Sequence, residues 1–317
     1  MLSHAKLKDR PHDFLFDMFK YSAMDKNLLQ ERLHAHVRML ASEIGERNVF
    51  RPHALEAAAR YITEEWQSQG YSVTPQCYPV QGVNCANIEV SRMGRSRPEQ
   101  ILLVGAHYDS VRGSPGANDN GSGVAALLEL GRFFTDVEQP EITVRLVAFV
   151  NEEPPFFMWR HMGSLVYARA ARKRGDRIRL MISLEMLGYY SSKPGSQLYP
   201  PLFRFFYPDR AEFIAFVSNL RSRRLMHRAV QVFRTHSDFP LEHTTSVALV
   251  RGVAASDHFS FWRQGYPAFM VTDTAYYRYP YYHTAFDTPD KLCYQPFASL
   301  TYGLCQTFNS LASGALD

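Results

Sequence analysis

Apolar residues recur with two periods along this chain, and the switches between them predict its elements. Leu29, Leu33, Val37, Leu40 and Ile44 keep the spacing of one helical face, and Gly45 follows as a stop. After Pro52, the series Leu55, Ala59, Ile62 and Trp66 marks a second helix that closes at Gly70. Segments around 71–80 and 87–90 alternate as strands do, joined by a turn at Gly82. Continuous apolar runs at 101–104, 142–150 and 177–184 predict buried strands. Between the first two runs, Val124, Leu127, Leu128 and Gly131 space a helix. Helical spacing returns at Phe213, Phe216, Val217 and Leu220, and 245–251 and 267–272 read as strands. Leu300, Leu304, Phe308 and Leu311 mark a last helix. Strands alternating with helices predict an α/β fold whose sheet is covered on both faces.

The buried runs end in residues that a core has no use for. The first leads into His107 and Asp109, two apart and so on one face of an extended segment. A loop rich in Gly, Pro and Asn then delivers Asp119 to the start of a helix. The second run ends in Asn151, Glu152, Glu153, Pro154 and Pro155. Adjacent carboxylates near a core repel each other and lose hydration, unless a cation neutralises them or one keeps a proton. In an extended tip they point opposite ways, so one is free to ligate a metal while the other faces a substrate as a base. The third run ends in Glu185. Strand tips followed by glycine-rich loops are where open α/β sheets bind ligands, and a His with two Asp at one tip suggests a hard or borderline cation. Asp257-His258 and Tyr282-His283 add imidazoles in loops. With twelve histidines in the chain, no single one argues for a site by itself.

Composition narrows the class. At 317 residues, with 46% hydrophobic and 21% charged, the chain is long enough for one large α/β domain or two small ones. No linker, repeat or low-complexity tract divides it, which predicts a single domain over 25–317 behind an extension at 1–24. The net charge of +4 is too mild to argue for nucleic acid, and the densest basic run, 169–179, reads as a solvated helix end and loop. Four cysteines without a CxxC pair argue against a thiolate zinc knot, and their sparse use fits a reducing compartment. Cys77 and Cys85 flank the Gly82 turn, which leaves a cross-hairpin bridge open. The apolar patch at 14–21 is broken by Asp17 and Lys20 and is too short to span a membrane. No signal peptide is evident, so the expected location is cytoplasmic.

Six motifs in order, AHYDS, GANDNGSG, NEE, SLEMLGY, SDHFSFW and YHTAFDTPD, resemble those of the zinc-dependent aminopeptidase family. That family includes bacterial leucyl aminopeptidases and exopeptidases of the glutamate carboxypeptidase type, with glutaminyl cyclases as relatives. The resemblance covers about 25–317. It implies a three-layer αβα fold with a mixed, mostly parallel central sheet, acting on peptide substrates at the N-terminal peptide bond. It further implies two Zn2+ ions bridged by Asp119, with His107 and Glu185 completing one site and Glu153 and His283 the other. Glu152 would be the general base, and Asp109 would orient His107 from behind. Position 185 departs from the pattern, since many members carry Asp there, and the longer Glu side chain would change how that site holds its ion. Asp257 and His258 match a motif placed behind the metals or in the substrate pocket. Phe156 and Tyr282 flank Glu153 and His283 in aromatic-rich segments and are expected to line the cleft, which would suit a large apolar N-terminal residue. Two rival readings remain. One is a single-zinc, glutaminyl-cyclase-like acyltransferase that would not need His107. The other is a catalytically inactive binding module, which would have lost ligands that this chain keeps.

Overall fold

The three apolar runs become neighbours at the centre of one sheet. The computed structural model describes residues 25–201 and 203–316; the predicted extension at 1–24 lies outside them. The strands are β1 (Thr74–Val80), β2 (Val83–Arg92), β3 (Arg97–His107), β4 (Ile142–Phe149), β5 (Arg177–Glu185), β6 (Ile214–Ser218), β7 (Leu241–Thr245) and β8 (Ala268–Thr272). Their order in the sheet is β1-β2-β4-β3-β5-β8-β6-β7. The pairs β3/β4, β3/β5, β5/β8 and β6/β7 are parallel, while β1/β2, β2/β4 and β6/β8 are antiparallel. The sheet is mixed and mostly parallel, as the resemblance implied.

Side-chain alternation along the central strands divides two cores. Leu102 and Val104 of β3 point to one side, Ile101 and Leu103 to the other. The first side is covered by α1 (Lys26–Arg38), α2 (Pro52–Ser68), α3 (Gly123–Asp136), α5 (Arg223–His236) and α7 (Tyr294–Ser310), which bury Leu33, Trp66, Leu127, Phe233 and Leu304. The second side receives α4 (Gly163–Arg174) and α6 (His258–Arg263), through Tyr167, Ala171 and Phe261. Both faces of the central strands are therefore dry, which is why their sequences are continuously apolar rather than alternating. The basic run after 169 is the end of α4 and the turn behind it, where Arg174 and Arg177 meet Asp176 and Glu99 near solvent.

Two expected elements are corrected. Residues 214–218 form a strand instead of a helix: β6 is buried at all five positions between β8 and β7. A five-residue apolar run carries no periodicity that separates a buried strand from a helix turn. The helix follows it as α5, whose stripe Met226, Ala229, Val230 and Phe233 is masked by interspersed Arg and His. The strand expected over 245–251 ends at Thr245, and Val247 and Leu249 stand exposed in the turns beyond. Cys77 pairs in register with Ala86, and Cys85 with Tyr78. The two cysteines thus face opposite sides of the hairpin, and both are free thiols. Among the described residues, no helix is long and apolar enough to cross a membrane.

The tips of β4, β3 and β5, parallel and adjacent, lie along one edge, which gathers His107, Glu152, Glu153 and Glu185 there. The start of α3 packs against that edge so closely that Gly123 has no room for a side chain. A Cβ there would stand 2.7 Å from the Leu184 carbonyl oxygen. Gly123→Ala is expected to lower stability by about 1–3 kcal/mol, read from the urea midpoint; an unchanged midpoint would refute this tight approach of α3 to β5.

Candidate metal centre and active site

Two clusters of buried ligand-type atoms sit at the strand tips and share one carboxylate. His107, Asp119 and Glu185 form the first, and Asp119, Glu153 and His283 the second, each with its ligand atoms within 4.8 Å of one another. Asp119 turns one oxygen to each histidine: Oδ1 lies 3.5 Å from His107 Nε2, and Oδ2 lies 3.2 Å from His283 Nε2. Glu185 Oε2 is 3.4 Å from His107 Nε2, and Glu153 Oε2 is 3.2 Å from His283 Nε2. The edges of a tetrahedron around an ion with bonds of about 2.0–2.1 Å measure about 3.4 Å. Neither Nε2 has a hydrogen-bond partner, although both are buried. Imidazole and carboxylate donors at this spacing, with orphaned ring nitrogens, fit zinc.

The sequence predicted opposite directions for the adjacent glutamates, and the side chains do diverge. Glu152 Oε2 faces His107 Nε2 at 3.9 Å, while Glu153 turns to His283 and accepts the Val111 N–H at 3.1 Å. Asp109 lies behind both. Its Oδ1 accepts the Glu152 N–H and its Oδ2 the Glu153 N–H, each at 3.1 Å. His107 Nδ1 donates to the Asp109 main-chain oxygen at 3.2 Å, with the carboxylate Oδ1 farther, at 3.7 Å. Asp109 therefore binds the tip of β3 to the tip of β4 as well as facing the imidazole.

Other residues hold the loop that carries Asp119, and sequence reasoning assigned them no role. Asp287 accepts the Asn118 and Asp119 N–H groups at 2.8 and 3.1 Å, and Tyr279 donates its hydroxyl to the same carboxylate at 2.7 Å. Asn120 Oδ1 accepts from Gly123 and Met186, and its Nδ2 donates to the Leu184 oxygen. Ser256 donates to Glu185 Oε2 at 2.7 Å. Asp287, Asn120 and Ser256 lie inside motifs already quoted, so their positions were visible and only their tasks were not; Tyr279 lies outside them. Arg47 gave no signal at all. Fully buried, it donates to the main-chain oxygens of Tyr108, Leu40, Gly45, Pro115 and Gly116.

Electrostatics follow from this crowding. Burial alone would raise Asp119, but contacts with His107 and His283 outweigh it and hold the carboxyl below its ordinary range. Burial and the neighbouring Asp119 charge push Glu153 up to about 8, against the pull of His283. Glu152 is raised well above the usual carboxylate range by burial, with Glu185 and Glu153 adding to it and His107 opposing. Burial disfavours charge on His283, yet Asp119 and Glu153 lift it to about 10. Without a cation, protons compensate these negative groups.

The remaining candidate residues lie around this centre. Asp257 is buried below it with neither carboxylate oxygen hydrogen-bonded, and burial raises it to about 7. His258 meets the Val253 oxygen at 2.8 Å and packs edge-on against Trp262; burial lowers it to about 4, so it is a neutral ring of the core. Phe156 joins the main core, and Tyr282 stacks on the His283 ring at 3.8 Å between centroids. A cavity of about 750 Å3, including its open mouth, begins at Glu185 and is lined by neither Phe156 nor Tyr282.

A doubly clustered acid–imidazole site at the tips of parallel strands is the architecture of a metallopeptidase. The model of peptidase family M28 matches residues 87–306, and the chain belongs to that family; it is a peptidase. The uncharacterized protein YfbL of Escherichia coli K12 is 38% identical over 283 residues, 86% of each chain. The probable aminopeptidase YDR415C of Saccharomyces cerevisiae is 27% identical over 219 residues, 65% of this chain and 52% of that protein, so the alignment spans about half of the yeast relative. Among solved structures, BSAP, a zinc aminopeptidase from Bacillus subtilis, shares the fold with a TM-score of 0.71 at 15% identity, over 90% of this chain and 95% of that one.

Arg47→Met would leave several buried carbonyls unpaired, at about 1–3 kcal/mol each. The expected loss is at least about 3 kcal/mol, measured by denaturant unfolding; a loss below about 1 kcal/mol would show that water takes over its hydrogen bonds.

Proposed function

We propose that this peptidase is an aminopeptidase that removes the N-terminal residue of peptides, using two zinc ions bridged by Asp119 and Glu152 as the proton carrier. The observation that carries the reading is the division of Asp119, one oxygen toward each histidine, with a glutamate completing each cluster. In this reading His107 and Glu185 hold one ion, and Glu153 and His283 the other. When bound, the zinc pair supplies positive charge that acidifies water and polarises the scissile carbonyl. Glu152 takes the proton of the attacking water and returns it to the leaving amine. Its carboxylate faces His107 Nε2 at 3.9 Å without belonging to either ligand cluster, which supports that role. Asp109 fixes the main chain of both glutamates, so that the base and its neighbour keep separate directions. The yeast relative named a probable aminopeptidase supports the choice of exopeptidase.

The cyclase-like alternative uses one zinc and has no use for His107. The placement of His107 against both Asp119 and Glu185 favours two ions instead.

Metal analysis of protein purified without added metal is expected to give close to two zinc per chain. Chelation is expected to abolish hydrolysis of leucine amide and zinc to restore it; one zinc and no hydrolysis would favour the cyclase reading. Glu152→Gln is expected to keep the zinc and lower kcat by about 10²–10⁴-fold. Retained turnover in that variant would remove Glu152 from the proton-transfer step. His107→Ala is expected to lose one zinc and most activity, and full activity with a single zinc would refute the bridged pair.

A further inference from the structure

The cavity beside the metal centre has a floor defined by strand register. Glu185 pairs with Thr272, Thr272 with Ala215, and Ala215 with Glu242, one row across β5, β8, β6 and β7. Residues paired across neighbouring strands project to the same face. Three strand spacings of about 4.7–4.9 Å put the ends of that row about 14 Å apart. Ala215 and Thr272, between the two glutamates, are short, so the floor is a trough. Val217 and Met270 continue it with apolar surface. The walls are aromatic: Tyr207 stacks with Tyr199 and Phe203 at 5.8 and 6.0 Å, and Tyr276 and Tyr277 stand on another side.

Glu242 is out of place in such a lining. It is half-buried, and among the described residues its carboxylate forms no salt bridge and accepts no hydrogen bond. Its adjacent His243 pairs with Phe216 on the opposite face, against His227. Arg234, the cation that influences Glu242, spends its guanidinium on the Leu241 oxygen at 3.3 Å. Arg251, which also lines the cavity, is exposed and lies over the Tyr276 ring at 4.9 Å. An unpartnered carboxylate facing an apolar trough loses hydration without compensation, and burial accordingly raises its pKa.

We infer that this cavity receives the side chain of the substrate's N-terminal residue and selects lysine or arginine, with Glu242 binding the cationic end. The inference rests on the aminopeptidase reading and names its substrate class. A long aliphatic stem matches the trough over Ala215, Val217 and Met270, and a cation passes favourably between aromatic faces. At the far end it meets the carboxylate, where a charge-assisted hydrogen bond replaces lost water. An apolar N-terminal residue, the expectation drawn from aromatic content alone, fills the trough but leaves Glu242 dry and unpaired. An acidic one is repelled by Glu242 at the far end of the row. Sites whose polar group is left unpaired by the wrong substrate discriminate strongly against it.

The test is kcat/KM for the amides of arginine, lysine, leucine, phenylalanine and glutamate, with the zinc-loaded full chain. Arginine and lysine are expected to exceed leucine by at least about tenfold. In Glu242→Gln the arginine-to-leucine ratio is expected to fall by about 10–100-fold. Because the ratio is taken within one preparation, a partial loss of folded enzyme cancels. In Glu242→Lys the glutamate amide is expected to gain on arginine. Leucine or phenylalanine equal to or above arginine in the wild type overturns the inference even if a variant fails to fold, as does an unchanged ratio in Glu242→Gln. Hydrolysis of none of the amides overturns the aminopeptidase reading itself, a result distinct from hydrolysis without cationic preference.

Discussion

An excess of buried negative charge at one edge of the sheet governs this structure. Asp119, Glu152, Glu153, Glu185 and Asp257 converge there with His107 and His283 as the nearby titratable cations, and all but His283 are nearly inaccessible. Carboxylates so placed cannot all be ionised and uncompensated, since each would give up hydration worth several kcal/mol. The alternatives are protons or a polyvalent cation. Burial and neighbouring charge push Glu152, Glu153 and His283 upward, the direction that the first solution requires. The second would replace those protons with a metal ion, whose binding to the folded chain alone would add to its stability.

Concentrated charge of this kind holds its geometry only if the main chain beneath it is rigid. The chain meets that need with buried hydrogen bonds from outside the clusters. Arg47 gathers five carbonyls, two from the end of the first helical segment and three from the segment after β3, while Asp287 grips the amides at 118 and 119 and Asp109 those at 152 and 153. Each joins segments distant in sequence, so the site is assembled by tertiary structure and not by any one loop. Their charges also matter: Arg47 brings one fully buried positive group toward Asp109, Asp119 and Glu153 without touching the ligand atoms.

The strand tips were legible because polar residues interrupt apolar runs where nothing in the core needs them. Six motifs made the ligands and Glu152 visible as candidates, and the register explains why these residues meet. The misread elements are those where local pattern underdetermines structure. The five buried residues of β6 look alike as strand or helix, and the stripe of α5 is diluted by charge. Arg47 was invisible because its partners are carbonyl oxygens, which every residue has. Glu242 was invisible for a different reason. A glutamate in a short polar strand reads as solvated, and only the pairing of Ala215 with both Thr272 and Glu242 places it on the cavity face.

That placement follows from a change of direction in the sheet. β8 runs parallel to β5, so both end at the catalytic edge, with Glu185 and Thr272 as their last residues. β6 runs antiparallel to β8, and β7 follows β6, so these two strands begin at the same edge. Ala215 and Glu242 are each the second residue of their strand. The reversal thus extends the row of side chains beyond Glu185 without moving the clustered groups. The central parallel strands, dry on both faces, carry the clustered acid and imidazole groups, while the outer pair carries the surface proposed to meet the substrate side chain. On the proposed reading, changes on β6 and β7 would reach specificity through one row of pairs, with the tips of β3, β4 and β5 left in place. Glu185 and Thr272, on the parallel strands β5 and β8, join the clustered groups to that surface, so the row begins at the cluster and its far end lies on the two reversed strands.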